Sequence, residues 1–180
     1  VGEIKLPQNR IIGIIGYNGA GKSTFADCLC GISKNDKSVI YYEGKSYYKK
    51  KKLKLCYLVM QDVNHQLFTE SVLDEILLSM EKSNETEKSK KEKAVQILTS
   101  LNLEQYQNAH PMSLSGGQKQ RVSISCARAS DKQILVYDEP TSGLDYTRMI
   151  AVAEAIKSMK SAGKTQFIIT HDPELIEQCC

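Results

Sequence analysis

Residues 11–24 read Ile-Ile-Gly-Ile-Ile-Gly-Tyr-Asn-Gly-Ala-Gly-Lys-Ser-Thr, and no other stretch constrains the fold so tightly. The apolar run Ile11 to Ile15 predicts a short buried strand. Gly16, Gly19 and Gly21 predict a sharp turn, and an amphipathic segment from Lys22 to about Cys30 predicts a helix. Strand, glycine turn and helix in direct succession aim the N–H groups of the turn inward at the positive end of the helix. That arrangement favours an anion.

Gly16 to Ser23 fits the pattern G-x-x-x-x-G-K-[ST], with Thr24 following, which is the P-loop pattern. The backbone of Asn18, Gly19, Ala20, Gly21, Lys22, Ser23 and Thr24 is expected to cradle a triphosphate. Lys22 supplies a cation to the β- and γ-phosphates, and the Ser23 hydroxyl suits Mg²⁺. By itself this pattern leaves kinases, GTPases and ATPases open.

The rest of the chain alternates strands and helices. Residues 39–59 hold two Tyr-rich, β-prone runs around Glu43-Gly44, which predict a hairpin or a pair of edge strands. Apolar residues at helical spacing predict helices over 72–80 and 94–103, with Glu81 to Lys93 a solvated helix start or loop. Helices are expected at 116–129 and 146–161, and strands at Gln133 to Tyr137 and Thr165 to Thr170. Strands separated by helices imply an α/β fold whose sheet is parallel and covered on both faces.

Two further signals narrow the chemistry. Leu114-Ser115-Gly116-Gly117-Gln118 opens the helix at 116, and a serine with two glycines at a helix start is a second anion nest. The apolar strand Ile134 to Tyr137 ends in Asp138-Glu139. That placement suits Asp138 to Mg²⁺ and Glu139 to polarising an attacking water. His65 and His110 have no metal-like partners at suitable spacing and read as structural.

With these residues in order, the chain resembles the ATP-binding cassette (ABC) ATPases from about residue 3 to residue 178. The resemblance rests on the loop at 16–24, Gln61, the signature Leu114–Gln118 and the strand with its glutamate at 134–139. Ser142-Gly143-Leu144-Asp145 resembles the family's D-loop and His171 its switch histidine. The resemblance implies a P-loop NTPase (RecA-like) core at about 1–61 and 131–180, with a small helical subdomain carrying the signature at about 62–130. It implies that ATP and Mg²⁺ are bound, with Ser23, Asp138 and Gln61 at the metal. Glu139, His171 and Gln61 would be catalytic, and Asp145 would lie at the nucleotide. Ser115, Gly116, Gly117 and Gln118 would cap ATP held by a second cassette, head to tail, in a homo- or heterodimer.

Leu58 to Phe68, with Gln61-Asp62 and Gln66-Leu67-Phe68, is similar to the ATPases of energy-coupling-factor and cobalt-type importers. Thr69 to Glu75 continues the likeness. This implies ATP hydrolysis coupled to import of a vitamin or metal ion, with an integral membrane subunit as partner. The location implied is cytoplasmic, on the inner face of the cell membrane. The alternative is an ABC ATPase acting on ribosomes or nucleic acid. Lys49 to Lys54, beside Tyr41, Tyr42, Tyr47 and Tyr48, is basic and aromatic enough to touch nucleic acid. A solvated hairpin, or a basic face near anionic lipid, is favoured over it. The 52 residues between Gln61 and Leu114 leave no room for a long insertion, and nucleic acid is not expected as a partner.

Charge is uneven: residues 1–60 carry +7 and residues 61–180 carry −4, for a net +3. The longest uncharged apolar run is too short to cross a bilayer, which takes about 20 residues. Six cysteines in 180 residues read as reduced thiols rather than a disulfide framework. Relatives carry an adenine-stacking aromatic well upstream of the loop, but none of the fifteen residues before Gly16 is aromatic. The antiparallel strands usual there are also missing, and the chain stops nine residues past His171. These departures predict one domain truncated at both ends, or weakened adenine recognition.

Overall fold

The computed structural model describes residues 3–17, 19–160 and 163–180. Strand β1 (Ile11–Ile15) feeds the glycine turn and helix α1 (Lys22–Cys30), as the sequence predicts. The Tyr-rich region forms an antiparallel hairpin, β2 (Val39–Tyr42) and β3 (Lys45–Tyr48), closed by Glu43 and Gly44 at positive φ. A 3-10 turn over Lys49–Lys54 leads into β4 (Cys56–Val59).

Next come α2 (Val72–Ser79), α3 (Glu87–Ser100) and α4 (Gly116–Ala129), which pack on one another. Strand β5 (Ile134–Asp138), α5 (Tyr146–Ser158), β6 (Thr165–Thr170) and α6 (Pro173–Cys179) complete the order.

The main sheet runs β1-β6-β5-β4, parallel throughout. β5 is buried along its whole length, so both of its faces need cover. Leu135 and Tyr137 face a core shared with α2, α3, α4 and α5. Ile134 and Val136 face a smaller core with Ala26 and Cys30 of α1, against which the hairpin residues Ile40, Tyr42 and Tyr47 pack. Burying a residue such as Leu135 contributes about 2 kcal/mol.

Helix α3 starts at Glu87, inside the stretch read as a solvated helix start or loop, and stops at Ser100, short of the expected 103. Its first half lacks an apolar stripe, and polar interactions carry it instead. Thr86 caps it by accepting from the Ser89 N–H at 3.3 Å, and Lys93 pairs with Glu85 at 2.9 Å. α5 ends at Ser158, earlier than the expected 161.

The lysine run departs further from expectation, because Lys52 is fully buried. Its ammonium donates to the Cys28 carbonyl at 2.8 Å, to Asp36 Oδ2 at 2.5 Å and to Ser38 Oγ at 2.6 Å. Burial opposes ionisation of Asp36, but the hydrogen bonds from Lys52 and Ser38 outweigh it and hold the carboxyl below its ordinary range. Gly31 ends α1 at φ 74°, and a Cβ there would lie 2.3 Å from the Lys49 carbonyl oxygen. Only glycine lets the lysine turn close onto the helix end in this way. Removing one partner of a buried pair strands the other charge. Lys52→Ala is therefore expected to cost about 3–5 kcal/mol in urea unfolding, whereas exposed Lys50→Ala is expected to stay within about 0.5 kcal/mol of wild type.

Candidate functional site

Parallel pairing puts the carboxyl ends of β1, β5 and β6 at one edge, and β6 lies between the other two. The loop after β1, the carboxylates ending β5 and the histidine after β6 therefore become neighbours. In the phosphate loop Gly19 and Gly21 stand at φ 84° and 85°, where a Cβ would meet nothing within 4 Å. Glycine is required there by backbone conformation and not by space. Gly21 caps α1, so among the described residues the first N–H groups of that helix have no side-chain acceptor. Ala20, Ser23 and Thr24 are exposed on this turn, while Asn18 lies outside the described residues.

Lys22 folds back over its own loop. Its Nζ donates to the Gly16 carbonyl at 2.8 Å and the Tyr17 carbonyl at 3.3 Å, and lies 3.4 Å from Glu139 Oε1. The other oxygen of Glu139 is held from the β6 side. Oε2 lies 2.9 Å from His171 Nδ1 and accepts from Thr170 Oγ1 at 3.1 Å. A carboxylate only accepts, so the His171 contact places the proton on Nδ1.

Glu139 stands at φ 47°, uncommon for a residue with a side chain, and its N–H is tied to the Ile169 carbonyl at 2.8 Å. Burial pushes against its ionisation, but the bonds from His171 and Thr170 win and its pKa is lowered. Asp138 shifts the other way: burial raises it, Ser23 lowers it, and the adjacent Glu139 charge raises it further. Asp138 Oδ1 is buried with no hydrogen-bond partner. A hydroxyl and a carboxylate with a free, buried oxygen fit a Mg²⁺ ion, which takes one or two protein ligands beside phosphates and waters.

A cavity of about 320 Å³ opens at this edge, lined by Glu139, Thr141, Ser142, Gly143, His171, Asp172 and Pro173. A larger one of about 480 Å³ lies at the opposite edge, beside Gln133, Arg128 and Lys164, away from these groups. The cavity beside the carboxylates is the one with the chemistry.

The structure thus gathers Lys22, Ser23, Asp138, Glu139 and His171. Gln61 is exposed just beyond the end of β4. Among the described residues no hydrogen bond or ion pair joins Ser115–Gln118 to the phosphate loop. That segment instead caps α4: Ser115 Oγ accepts from the Gln118 N–H at 3.4 Å, and Gln118 Oε1 accepts from the Ser115 N–H at 2.8 Å. Gly116 is open to solvent, while Gly117 lies under Arg148, whose Cδ would be 3.3 Å from a Cβ there. Arg148 in turn pairs with Asp145 at 3.2 Å, and Asp145 caps α5.

Thr170 and Arg148 escape a reading of the sequence. The signal available for Thr170 was its place at the end of a parallel strand next to the one that ends in Glu139. Arg148 carries no motif. His110 caps a 3-10 turn by accepting from the Met112 N–H at 3.1 Å, a structural role. Exposed His65 pairs with Asp62 at 3.2 Å.

A strand, a phosphate loop with its lysine, and a strand-end Asp-Glu pair on a parallel sheet define a nucleoside-triphosphate-binding P-loop domain. The profile of the ABC transporter family matches residues 3–142. An ABC transporter ATP-binding protein of Treponema denticola is 42% identical over 172 residues, which is 95% of this chain and 34% of that protein. One from Listeria monocytogenes is 36% identical over 183 residues, 99% of this chain and 68% of the relative. A methionine import ATP-binding protein of Protochlamydia amoebophila is 37% identical over 186 residues, 99% of this chain and 54% of its own.

Among solved structures, CbiO1 of Clostridium perfringens, part of a CbiONQ transporter complex, superposes with TM-score 0.84 at 27% identity. The match covers 98% of this chain and 73% of CbiO1. A bacterial ABC transporter cassette solved as a dimer gives TM-score 0.82 at 25% identity, over 98% and 81%. The chain belongs to the ABC transporter family, as an ATP-binding domain of the P-loop ATPase fold. It spans about a third of the length of the Treponema denticola relative. Among the described residues no helix is long and apolar enough to cross a membrane.

Thr170→Val removes one of the bonds that hold Glu139 ionised. The Glu139 pKa is expected to rise towards its ordinary value, read from its carboxyl carbon in an NMR titration. A lowered carboxylate pKa contributes stability above its unfolded value and loses it as pH falls through the folded value. The acid unfolding midpoint of Thr170→Val is accordingly expected to move to higher pH.

Proposed function

We propose that this chain is the ATP-hydrolysing subunit of an ABC transporter that imports a small solute, a vitamin or metal ion. The observation that carries the reading is Glu139: an ionised carboxylate, oriented by His171 and Thr170, beside the phosphate-loop lysine. The phosphate loop and Lys22 bind the triphosphate, with Lys22 exchanging Glu139 for phosphate oxygens as nucleotide enters. Glu139 then takes a proton from a water that attacks the γ-phosphorus, the bond to the bridging oxygen breaks, and ADP and phosphate result. His171 is half exposed beside Glu139 on the same cavity, which supports a role for it at the γ-phosphate. Ser23 and Asp138, with Gln61, would hold Mg²⁺, which neutralises charge on the phosphates when bound.

Ser115, Gly116 and Gly117 stand apart from the chain's own phosphate loop, which supports a role towards nucleotide on a second cassette. ATP is then cradled on both sides only when two cassettes meet head to tail. Binding closes the dimer, and hydrolysis reopens it. The likenesses to CbiO1 and to the methionine import protein support import, through a membrane-embedded partner at the cytoplasmic face of the membrane.

Glu139→Gln is expected to keep ATP affinity within about twofold while lowering phosphate release by a factor on the order of 10²–10⁴. Phosphate release at the wild-type rate would remove Glu139 from the chemistry. Ser115→Arg is expected to leave ATP binding by the monomer intact and to abolish the ATP-dependent dimer in analytical ultracentrifugation. A dimer that still forms would set the head-to-tail arrangement aside.

A further inference from the structure

The lysine hairpin lies outside the machinery above, and its two faces differ. Ile40 pairs with Tyr47 and Tyr42 with Lys45; Ile40, Tyr42 and Tyr47 pack on the smaller core. The opposite face pairs Val39 with Tyr48 and Tyr41 with Ser46. On it Tyr41 is 77% exposed, and Val39 and Tyr48 are also open to solvent. Residues 37–54 carry six exposed lysines, Lys37, Lys45, Lys49, Lys50, Lys51 and Lys54, of which Lys45 pairs with Tyr42 on the other face, against one exposed carboxylate, Glu43.

The patch is fixed in place. Buried Lys52 is tied to Asp36, Ser38 and the end of α1, so its neighbours in the 3-10 turn are turned outward. Lys51 lies 4.4 Å from the centre of the Tyr48 ring and donates to its hydroxyl at 2.8 Å. No carboxylate pairs with the exposed lysines of the turn among the described residues.

We propose that this hairpin and turn form a docking surface for an anionic lipid bilayer, with the lysines over the head groups and Tyr41, Tyr48 and Val39 at the interface. The charge is complementary, since lysines near such a surface are drawn to it. Tyrosine suits the boundary, where its ring is apolar and its hydroxyl wet. A nucleic-acid groove would call for base-stacking rings along a concave track, whereas here the rings stand on the outer face of a two-stranded hairpin. The surface goes beyond the import reading, because it holds the chain to lipid without any transport subunit.

The test is co-sedimentation of the whole chain with vesicles of phosphatidylcholine containing phosphatidylglycerol, beside pure phosphatidylcholine, at low and high salt. Binding is expected only to the anionic vesicles and falls as salt rises. The variant carrying Lys50→Gln, Lys51→Gln and Lys54→Gln is expected to lose about a hundredfold in partition, about fivefold for each lysine. ATP binding is expected to be unchanged in that variant. Tyr41→Ala is expected to weaken the part of binding that survives high salt. Equal binding to neutral vesicles, or wild-type partition by the triple variant, would overturn the proposal. So would displacement of anionic vesicles by a single-stranded oligonucleotide at equal phosphate concentration, which would assign the patch to nucleic acid. The vesicles contain no membrane subunit, so this outcome and the ATPase result stand or fall separately.

Discussion

Because β1, β6, β5 and β4 all pair in parallel, their carboxyl ends are forced to one edge, and all the gathered reactive groups sit there. The order matters as much as the direction. With β6 inserted between β1 and β5, its last residue, Thr170, and the next, His171, reach Glu139 from one side while Lys22 reaches it from the other. Were β1 and β5 direct neighbours, Lys22 and Glu139 would still meet, but the second oxygen of the carboxylate would have no oriented partner. The two acids that end β5 are driven apart by these surroundings. Asp138 is left raised with a bare oxygen, and Glu139 is lowered with both oxygens engaged.

A second division runs across the sheet. The larger core, shared with α2 to α5, carries the signature segment at the start of α4; the smaller one, under α1, carries the hairpin. The phosphate loop is anchored to the smaller core through α1, and the segment that would meet another cassette is anchored to the larger. The half-exposed Asp145–Arg148 pair lies over Gly117, so the loop after β5 and the signature meet there.

Much of this was legible in the sequence. The phosphate loop, the Asp138-Glu139 strand end and the helix over 116–129 each carry a local signal: glycines directly after an apolar run, an apolar run ending in acids, a serine with two glycines at a helix start. What escaped depends on partners far along the chain. Lys52 is one of four consecutive lysines, and nothing local distinguishes it from Lys50 or Lys51. Its burial follows from Asp36, sixteen residues earlier, brought near by the close approach at Gly31. Thr170 is thirty-one residues from Glu139, and only the strand order joins them. Within residues 81–93 nothing local separates helix start from loop, because polar caps and ion pairs, not an apolar stripe, set where α3 begins.

The left-handed backbone at Glu139 bears on how such a site decays. Replacement by valine or isoleucine loses the carboxylate and adds crowding at a branched Cβ, whereas glycine loses the carboxylate while easing the main chain. Asparagine and aspartate tolerate this conformation better than most. The routes by which the position sheds its charge while the domain still folds are therefore few, and they run through a small set of residues. A silent cassette descended from this one would be recognised by glycine or asparagine after Asp138 more readily than by an aliphatic side chain.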